Sequence, residues 1–208
     1  MKLRFRQDLR DNLINRFRND EPRKGIHVSD LTSPCLKQSY FIKKGLCRPR
    51  DENILTWMIG IACHELLEGE IHDVPLELDG IHASIDFVKR DEALPVEIKS
   101  TRQSVEKDFV KNQWWLEQIM CYVKIFGGNR ALLYIVYLMG DWKETMAGYK
   151  PWELEFTDKE IDDNWAEMLR RRDILLRSLE IDTPPVGPRL AWACKNCYVE
   201  KEICKNRI

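Results

Sequence analysis

Helical and strand-like patterns of apolar residues alternate along the chain. Helical spacing predicts helices over about 53–71 and 112–126, and a long helix that opens at the capping box TDKE (157–160) and runs to about Leu179. A shorter helix is expected to have Ser33 as its N-cap and Pro34 as its first residue, and it should end at Gly45. A charged amphipathic helix is predicted near the start, and its apolar stripe consists of Leu9, Leu13, Ile14 and Phe17.

Five shorter runs have the composition of strands. Three follow in succession, VPLEL, IHASIDFVK and PVEIKS, and Asp79-Gly80 is a strong hairpin signal between the first two. ALLYIVYLM reads as a buried strand and WELEF as a shorter one, before TPPVGP ends regular structure. This order predicts an α/β fold, with a mixed central sheet flanked by helices, in one domain over 1–208.

Composition narrows the class of protein. The 208 residues are 44% hydrophobic and 32% charged, which is typical of soluble globular domains. No apolar run is long enough to cross a bilayer and no signal core is present, so we expect a cytoplasmic protein without a membrane partner. The net charge of −1 gives no bulk argument for nucleic-acid binding. Seven cysteines without an export signal favour thiols or metal ligands over disulfides.

Two acidic residues face each other in the predicted hairpin of the second and third strands. Because side chains alternate along a strand, Glu97 and Lys99 share one face. Their neighbours Val96 and Ile98 then point into the core, and a symmetric hairpin places Asp86 opposite Glu97. Facing carboxylates are destabilising unless neutralised, and hard oxygen ligands of this kind suit Mg²⁺ or Mn²⁺. Such a metal would activate a water that Lys99 positions, or Lys99 would balance developing negative charge.

The same residues have a plainer interpretation, a surface-exposed strand with mixed charges. Two helical pairs favour the metal site. Gly60 and His64 are four residues apart on one face, where imidazole can bind a metal and Gly60 would let a neighbouring backbone approach. Gln118 and Tyr122 have the same spacing and could contact a phosphate or the attacking water. Taken alone, each pair is common in ordinary helices.

In this order GxxxH, ID, ExK and QxxxY resemble the RecB-like branch of the PD-(D/E)xK nucleases, over about 28–204. The resemblance implies a restriction-endonuclease-like fold with a nuclease core at about 53–140. It implies that Mn²⁺ or Mg²⁺ is bound by His64, Asp86, Glu97 and the backbone carbonyl of Ile98. It implies catalytic roles for Asp86, Glu97 and Lys99, assisted by Gln118 and Tyr122. One departure is that no proline precedes Asp86.

Three cysteines near the end of the sequence have the spacing C-x2-C-x6-C, namely Cys194, Cys197 and Cys204. A four-cysteine site, for zinc or for a 4Fe–4S cluster, needs one more ligand. We expect Cys35, because the positive end of its helix favours a thiolate, and Cys47 is the alternative. Cys63 and Cys121 fall within helices and are expected in the core. Zinc sites usually consist of two close pairs, unlike this arrangement.

One distant cysteine followed by a trio resembles the iron–sulfur nucleases, and most of all the fourth CRISPR-associated protein family. The segment HVSDLTSPCLKQSYF fits that family's pattern around its first cysteine. The resemblance implies a 4Fe–4S cluster held by 28–47 and 184–208, which pins the tail and stabilises the fold. It also implies a single-stranded DNA exonuclease, usually acting from the 5′ end. Such an enzyme processes DNA ends before the CRISPR integrase, an expected partner, inserts them as spacers.

DNA contacts are predicted on three helices. The cluster helix offers Lys37, Tyr40, Lys43 and Lys44, and Tyr40 and Phe41 are candidates for stacking on bases. Other candidates are Arg4, Arg6, Arg10, Arg170, Arg171 and Arg172. The plainer interpretation of each is a solvated charge or a core aromatic.

Three other functions stay open on the sequence. The first is a RecB-like exonuclease of repair, recombination or phage, with the same chemistry. The second is an iron–sulfur DNA-binding subunit whose nuclease core is inert, although the intact Asp86, Glu97 and Lys99 argue against it. The third is a zinc-stabilised DNA-binding module, which metal analysis and visible absorption would identify.

Overall fold

A central β-sheet with helices packed against it organises the chain. The computed structural model describes residues 5–18, 23–47, 49–67, 72–138, 147–188, 191–194, 197, 199–200 and 202–204. In chain order the elements are α1 (Gln7–Phe17), β1 (Ile26–His27), α2 (Val28–Thr32), α3 (Leu36–Lys43), α4 (Asp51–Leu67), β2 (His72–Leu78), β3 (Ile81–Lys89), β4 (Leu94–Thr101), α5 (Gln113–Phe126), β5 (Arg130–Tyr137), β6 (Gly148–Glu155) and α6 (Asp158–Glu180). Two 3-10 helices span Phe109–Lys111 and Ala191–Cys194. The predicted mixed sheet with flanking helices is confirmed, whereas β1 and α2 were not predicted.

The sheet combines parallel and antiparallel pairs. Its order is β1-β3-β4-β5-β6, and β2 pairs with β3 off this path. The pairs β1–β3 and β4–β5 are parallel, and the other three are antiparallel. Because β2 runs along one edge of β3, the strands β1 and β4 share the other edge, β1 at the start of β3 and β4 at its end.

Both predicted hairpins are present. Asp79 and Gly80 have φ values of 51° and 73°, the left-handed conformation that a tight two-residue hairpin turn requires. In the next hairpin Phe87 pairs with Val96 and Lys89 with Leu94, which is the predicted register. The ladder ends at the Phe87–Val96 pair, immediately before Asp86.

The helix ends follow local sequence signals, except at the start of α3. Thr157 and Glu160 form the predicted capping box of α6, and Gly127 ends α5 with a φ of 88°. Helix α3 begins at Leu36, so Cys35 and not Ser33 is its N-cap. Helix α4 is described to Leu67, and its predicted end at about 71 lies outside the described residues. In α1 only Ile14 of the predicted stripe is buried.

Three clusters of buried apolar residues hold the helices on the sheet. Residues of α2, α3, α5 and α6 pack around the first half of β3, whereas α5 also covers β5. Ile81, Ala83 and Ile85 belong to the first cluster, but Phe87 belongs to a third one with Val96. The packing of β3 therefore changes at Asp86. Among the described helices, none has both the length and the apolar character needed to cross a membrane.

Arg171 has a structural place and not the predicted DNA-contacting one. Only 6% of it is exposed, and its guanidinium donates hydrogen bonds to the carbonyls of Leu31 (2.5 Å) and Ser33 (2.7 Å). These carbonyls lie at the end of α2, where helical carbonyls have no intrahelical partner. Arg171 therefore fixes the backbone just before Cys35, and the prediction that it contacts DNA is wrong.

Candidate metal and catalytic site

Asp86 lies where β3 and β4 separate. One residue beyond the last ladder pair, its Oδ2 atom accepts a hydrogen bond of 2.6 Å from the backbone N–H of Ile98. The carboxylate thus takes the place of a strand-to-strand backbone hydrogen bond. This contact holds Asp86 beside β4 at the level of Glu97 and Lys99, as the predicted hairpin requires.

Glu97 is the buried centre of the site. Only 3% of it is exposed, while Val96 and Ile98 are buried on the opposite face as predicted. Its Oε1 atom accepts hydrogen bonds from Lys99 Nζ and from Gln118 Nε2, the latter at 3.0 Å. Its Oε2 atom is buried and, among the described residues, has no hydrogen-bond partner. The burial of Glu97 excludes the alternative of a solvent-exposed strand with mixed charges.

Gln118 joins the lysine, the glutamate and the tyrosine. Its Oε1 accepts from Lys99 Nζ (2.9 Å), and its Nε2 donates to Glu97 and to the Tyr122 hydroxyl (2.6 Å). Burial, and after it the charge of Glu97, raises the pKa of Tyr122 well above its ordinary value. Tyr122 therefore stays a neutral phenol, and the amide of Gln118 is held in one orientation.

His64 is adjacent to Asp86. Its Nδ1 lies 3.4 Å from Asp86 Oδ1, so the histidine of α4 contacts the carboxylate of β3. The expected reason for Gly60 is wrong, however. A Cβ on Gly60 would have the Ser100 hydroxyl oxygen at 3.6 Å as its nearest neighbour, an ordinary contact, and no backbone comes closer.

Replacing Gly60 by alanine is therefore expected to stabilise the protein. Glycine inside a helix costs about 0.5–1 kcal/mol relative to alanine, so the free energy of unfolding should rise by about that much with activity unchanged. Urea denaturation would measure it. The matched control is Gly127→Ala, which is expected to destabilise because φ is 88° there. A loss of stability in Gly60→Ala would reveal a close contact at this position.

The predicted catalytic residues are thus joined by contacts into one group. Asp86 contacts His64 and Ile98, while Glu97, Lys99, Gln118 and Tyr122 form a hydrogen-bonded network. Among the residues described, no three His, Cys, Asp or Glu side chains are close enough together to hold one metal ion. The role of the Ile98 carbonyl stays a prediction.

The four predicted cluster ligands line a single cavity. Cys35, Cys194, Cys197 and Cys204 all contribute to its wall. Two chain segments far apart in sequence therefore border the same cavity, although in this arrangement no three thiols of the part that the structure describes are close enough together to hold one metal ion. Cys47, the alternative, packs near this region but is not part of the lining. Of the two cysteines expected in the core, Cys121 is fully buried and Cys63 is half-buried.

The helix end at Cys35 does not lower its pKa as expected. Burial has the larger effect and raises the pKa of the thiol, although the backbone N–H groups of Gln38 and Lys37 oppose it. Neighbouring Cys197 and Cys204 raise it further. Burial likewise raises the pKa of Cys47 to about 12. Without a bound cation these thiols stay protonated at neutral pH.

Most of the predicted DNA contacts on α3 are engaged elsewhere. Tyr40 is 3% exposed and donates from its hydroxyl to Asp182 (2.9 Å), and Phe41 is also buried, so neither ring can stack on a base. Lys43 is buried against Asp30 (2.8 Å). Lys44 pairs with Asp182.

The other residues predicted to contact DNA are Lys37 and five arginines. Lys37 is half-buried and stays a prediction, while Arg4 lies outside the described residues. Arg6 and Arg10 on α1 pair with Asp8 and Asp51. Arg170 and Arg172 pair with Glu167 and Asp173. Because the pairs of Arg6 and Arg170 are exposed to solvent, their contacts with DNA stay predictions.

Comparison with known proteins gives matches in structure only. No protein-family model matches the chain, and no curated protein matches it by sequence. The crystal structure of SSO0001 is similar over 97% of this chain and 96% of that one, with a TM-score of 0.55 and 16% identity. An alkaline exonuclease from Laribacter hongkongensis is similar over 76% of this chain and 90% of its own, with a TM-score of 0.50 and 12% identity. A phage-related exonuclease from Haemophilus somnus 129PT covers 82% and 99%, at a TM-score of 0.49 and 8% identity. The first two matches show a shared fold.

Proposed function

We propose that the chain is a divalent-metal-dependent deoxyribonuclease. The observation that carries the proposal is the buried carboxylate of Glu97, hydrogen-bonded to Lys99 and Gln118. The next residue, Ile98, donates its backbone N–H to Asp86, which in turn contacts His64. A buried carboxylate with one unpartnered oxygen costs stability unless a ligand uses it. Active sites often contain such destabilising buried charges, so a catalytic role for this site would explain the cost in stability. The fold that the chain shares with an alkaline exonuclease is compatible with this proposal.

The donor set fits a hard divalent cation. Glu97 Oε2 is buried without a hydrogen-bond partner among the described residues. On the neighbouring strand the Asp86 carboxylate lies 3.4 Å from the His64 imidazole, so a bound ion would have to draw these two groups and Glu97 together. Carboxylate oxygens suit Mg²⁺ and Mn²⁺, and imidazole tolerates Mn²⁺. His64, Asp86, Glu97 and the Ile98 carbonyl would hold the ion. Once bound, it would lower the pKa of a water and neutralise charge on a phosphate.

The chain's own residues orient the substrate and balance charge. Lys99 is held by Glu97 and Gln118, so its ammonium keeps a fixed position without rearranging during the reaction. Its charge would stabilise the negative charge that develops on a phosphate oxygen. Gln118 and the neutral Tyr122 fix that lysine and offer polar contacts to the attacking water. These roles make Lys99 the residue whose loss should affect chemistry most selectively.

A 4Fe–4S cluster in the cysteine-lined cavity completes the proposal. The support is that four cysteines from two distant segments line one cavity, and four thiolates are the ligands that such a cluster needs. Zinc is the other metal that four thiolates can hold. We assign the cluster a structural role, because it would join α3 to the region around Cys194.

For the substrate, we propose single-stranded DNA cut from its ends, from 5′ to 3′, in preparing fragments for CRISPR integration. The support is the residue pattern that resembles the fourth CRISPR-associated protein family, from His64 to Tyr122 together with the one-plus-three cysteines. An exonuclease of repair or phage recombination is the alternative, and the fold shared with an alkaline exonuclease favours it equally. The genes beside this one would separate the two pathways.

Labelled single-stranded DNA tests the nuclease directly. The protein is incubated with DNA labelled at either end, in Mn²⁺, Mg²⁺ or chelator, beside the Lys99→Ala variant. We expect metal-dependent degradation by the wild type and its loss in the variant, while visible absorption from the cluster is unchanged. A wild type that is inert with both metals, or a variant that cuts equally well, would support the inert DNA-binding subunit instead.

A further inference from the structure

Two tryptophans continue the candidate site toward the cysteine-rich region. Trp114 precedes Gln118 by four residues on α5, so it lies one helical turn away on the same face. Helical side chains lean toward the N-terminus of their helix, so Gln118 leans toward Trp114. Trp192, in the 3-10 helix Ala191–Cys194, lies against Trp114 with ring centroids 5.1 Å apart and planes inclined at 51°.

The tryptophans of this region differ in how much of each ring is exposed to solvent. Trp115 is 9% exposed and belongs to the core under β5, and Trp114 is half-buried against the same core. Trp192 is 41% exposed although Trp114 supports it on one side. Exposure alone does not distinguish Trp192, because Trp57 and Trp152 are exposed to a similar extent. What sets Trp192 apart is its contact with Trp114, one helical turn from Gln118, because an exposed ring beside the site can stack on a nucleobase of a bound strand.

The charges around α5 favour the binding of a polyanion near its first turn, which contains Trp114. The first turn of α5, which contains Trp114, has no acidic residue, and the exposed Lys111 lies just before it. A groove along α5 and α6 is lined instead by Glu117, Glu160 and Asp163. Like charges would repel a phosphate backbone from that groove. A strand that reaches Glu97 and Lys99 therefore meets less negative charge at the first turn of α5, beside Lys111, than along this groove.

We propose that Trp192, supported by Trp114, is a stacking platform for an unpaired base of the DNA strand that enters the site. The inference rests on the proposed nuclease function and adds a physical reason why its substrate would be single-stranded DNA. In a duplex both faces of a base are covered by its neighbours, whereas a single strand can present a free face to an indole. The supporting ring of Trp114 lies one helical turn from Gln118, so the platform is on the same face of α5 as the candidate site.

Binding to two oligonucleotides separates stacking from charge. The full chain with Lys99→Ala is used so that DNA is not consumed, and fluorescence anisotropy gives the dissociation constant for an oligothymidylate and for an abasic strand of equal length. Adding Trp192→Ala should weaken binding to oligothymidylate on the order of tenfold. Binding to the abasic strand, which has phosphates but no bases, should change less than about twofold. Trp152→Ala on β6 is the matched control, because this indole is 39% exposed and its ring centroid lies 5.1 Å from that of Phe109. This variant should bind both strands as before.

Trp192→Phe protects the test against a folding defect near Cys194. Because phenylalanine keeps an aromatic face, we expect it to retain most of the affinity for oligothymidylate. Equal weakening on both strands by Trp192→Ala, or no weakening on either, would overturn the platform. If wild-type protein cuts DNA and these ratios are unchanged, only the platform is wrong. If Lys99→Ala still cuts DNA, the proposed catalytic site is wrong, and the two failures are thereby distinguished.

Discussion

Glu97→Gln is expected to lower the rate of DNA cleavage by about 10²–10³-fold or more. The substitution keeps the size and one acceptor oxygen of the side chain but removes the charge that would bind a cation. The loss of a single preorganised electrostatic contact in other active sites costs rates of about this size. Single-turnover cleavage of end-labelled DNA in saturating Mn²⁺ would measure the effect.

The same variant separates metal binding from folding. In the absence of metal we expect its free energy of unfolding to stay within about 2 kcal/mol of the wild type, because two effects oppose each other. Lys99 loses its charged partner, while the cost of burying an unpartnered carboxylate oxygen is relieved. Adding Mn²⁺ at about 100 times its dissociation constant should raise the wild-type unfolding midpoint by about 5–10 °C. The midpoint of Glu97→Gln should not move.

Glu92→Gln is the matched control for this experiment. Glu92 follows β3 in the same hairpin and pairs with Lys89 in solvent, so the variant removes the same charge without touching the site. It should cleave DNA and respond to Mn²⁺ like the wild type. Normal cleavage by Glu97→Gln, or an equal shift of its midpoint by Mn²⁺, would remove Glu97 from the metal site.

Cys35→Ser is expected to eliminate the visible absorption of the purified protein and most of its bound iron. The free energy of unfolding should fall by about 2–5 kcal/mol, as it does when a disulfide that closes a long loop is lost. The physical reason is that Cys35 lies on α3 while the other three thiols lie far along the chain, so one ligand closes the loop. Anaerobic purification, iron analysis and chemical denaturation would give both values.

Two other cysteines make this test specific. Cys47→Ser should keep colour and iron, because Cys47 is not part of the cavity lining, and Cys63→Ser on α4 should do the same. If Cys47→Ser loses the cluster and Cys35→Ser keeps it, the alternative ligand is the correct one. Zinc in place of iron in the wild-type protein would identify the zinc-stabilised module.

The hairpin of β3 and β4 could be predicted because its determinants are local. Alternating apolar residues and a short connection fix which residues face each other, and the observed Phe87–Val96 pair follows that rule. The same local logic predicted the face shared by Gln118 and Tyr122 on α5. The burial of Glu97 did not follow from the sequence, because it depends on α5 covering that face of the sheet.

The DNA contacts predicted for Arg171 and Tyr40 were wrong for different reasons. A run of arginines in α6 looks solvated, yet Arg171 lies three residues after Met168 and four before Leu175, both fully buried. Helical spacing therefore placed Arg171 on the buried face, a signal that was available in the sequence. For Tyr40 no such signal existed, because its partner Asp182 is distant in sequence. Trp192 was also missed, since no regular element surrounds it to suggest what its ring contacts.

The cavity between Cys35 and the three later cysteines also constrains how the protein is made. Cys35 precedes strands β2 to β6 in the sequence, whereas the other three cysteines that line the cavity follow them. Because synthesis starts at the N-terminus, Cys35 is made first. On the ribosome, β2 to β6 can pair while Cys35 still has none of its three partner thiols. If the cavity holds the proposed cluster, its loading follows translation of nearly all the described chain, and a nascent protein would pass through a stage with a formed sheet and an open thiol. In cells that are short of iron, this species would persist and be exposed to proteases.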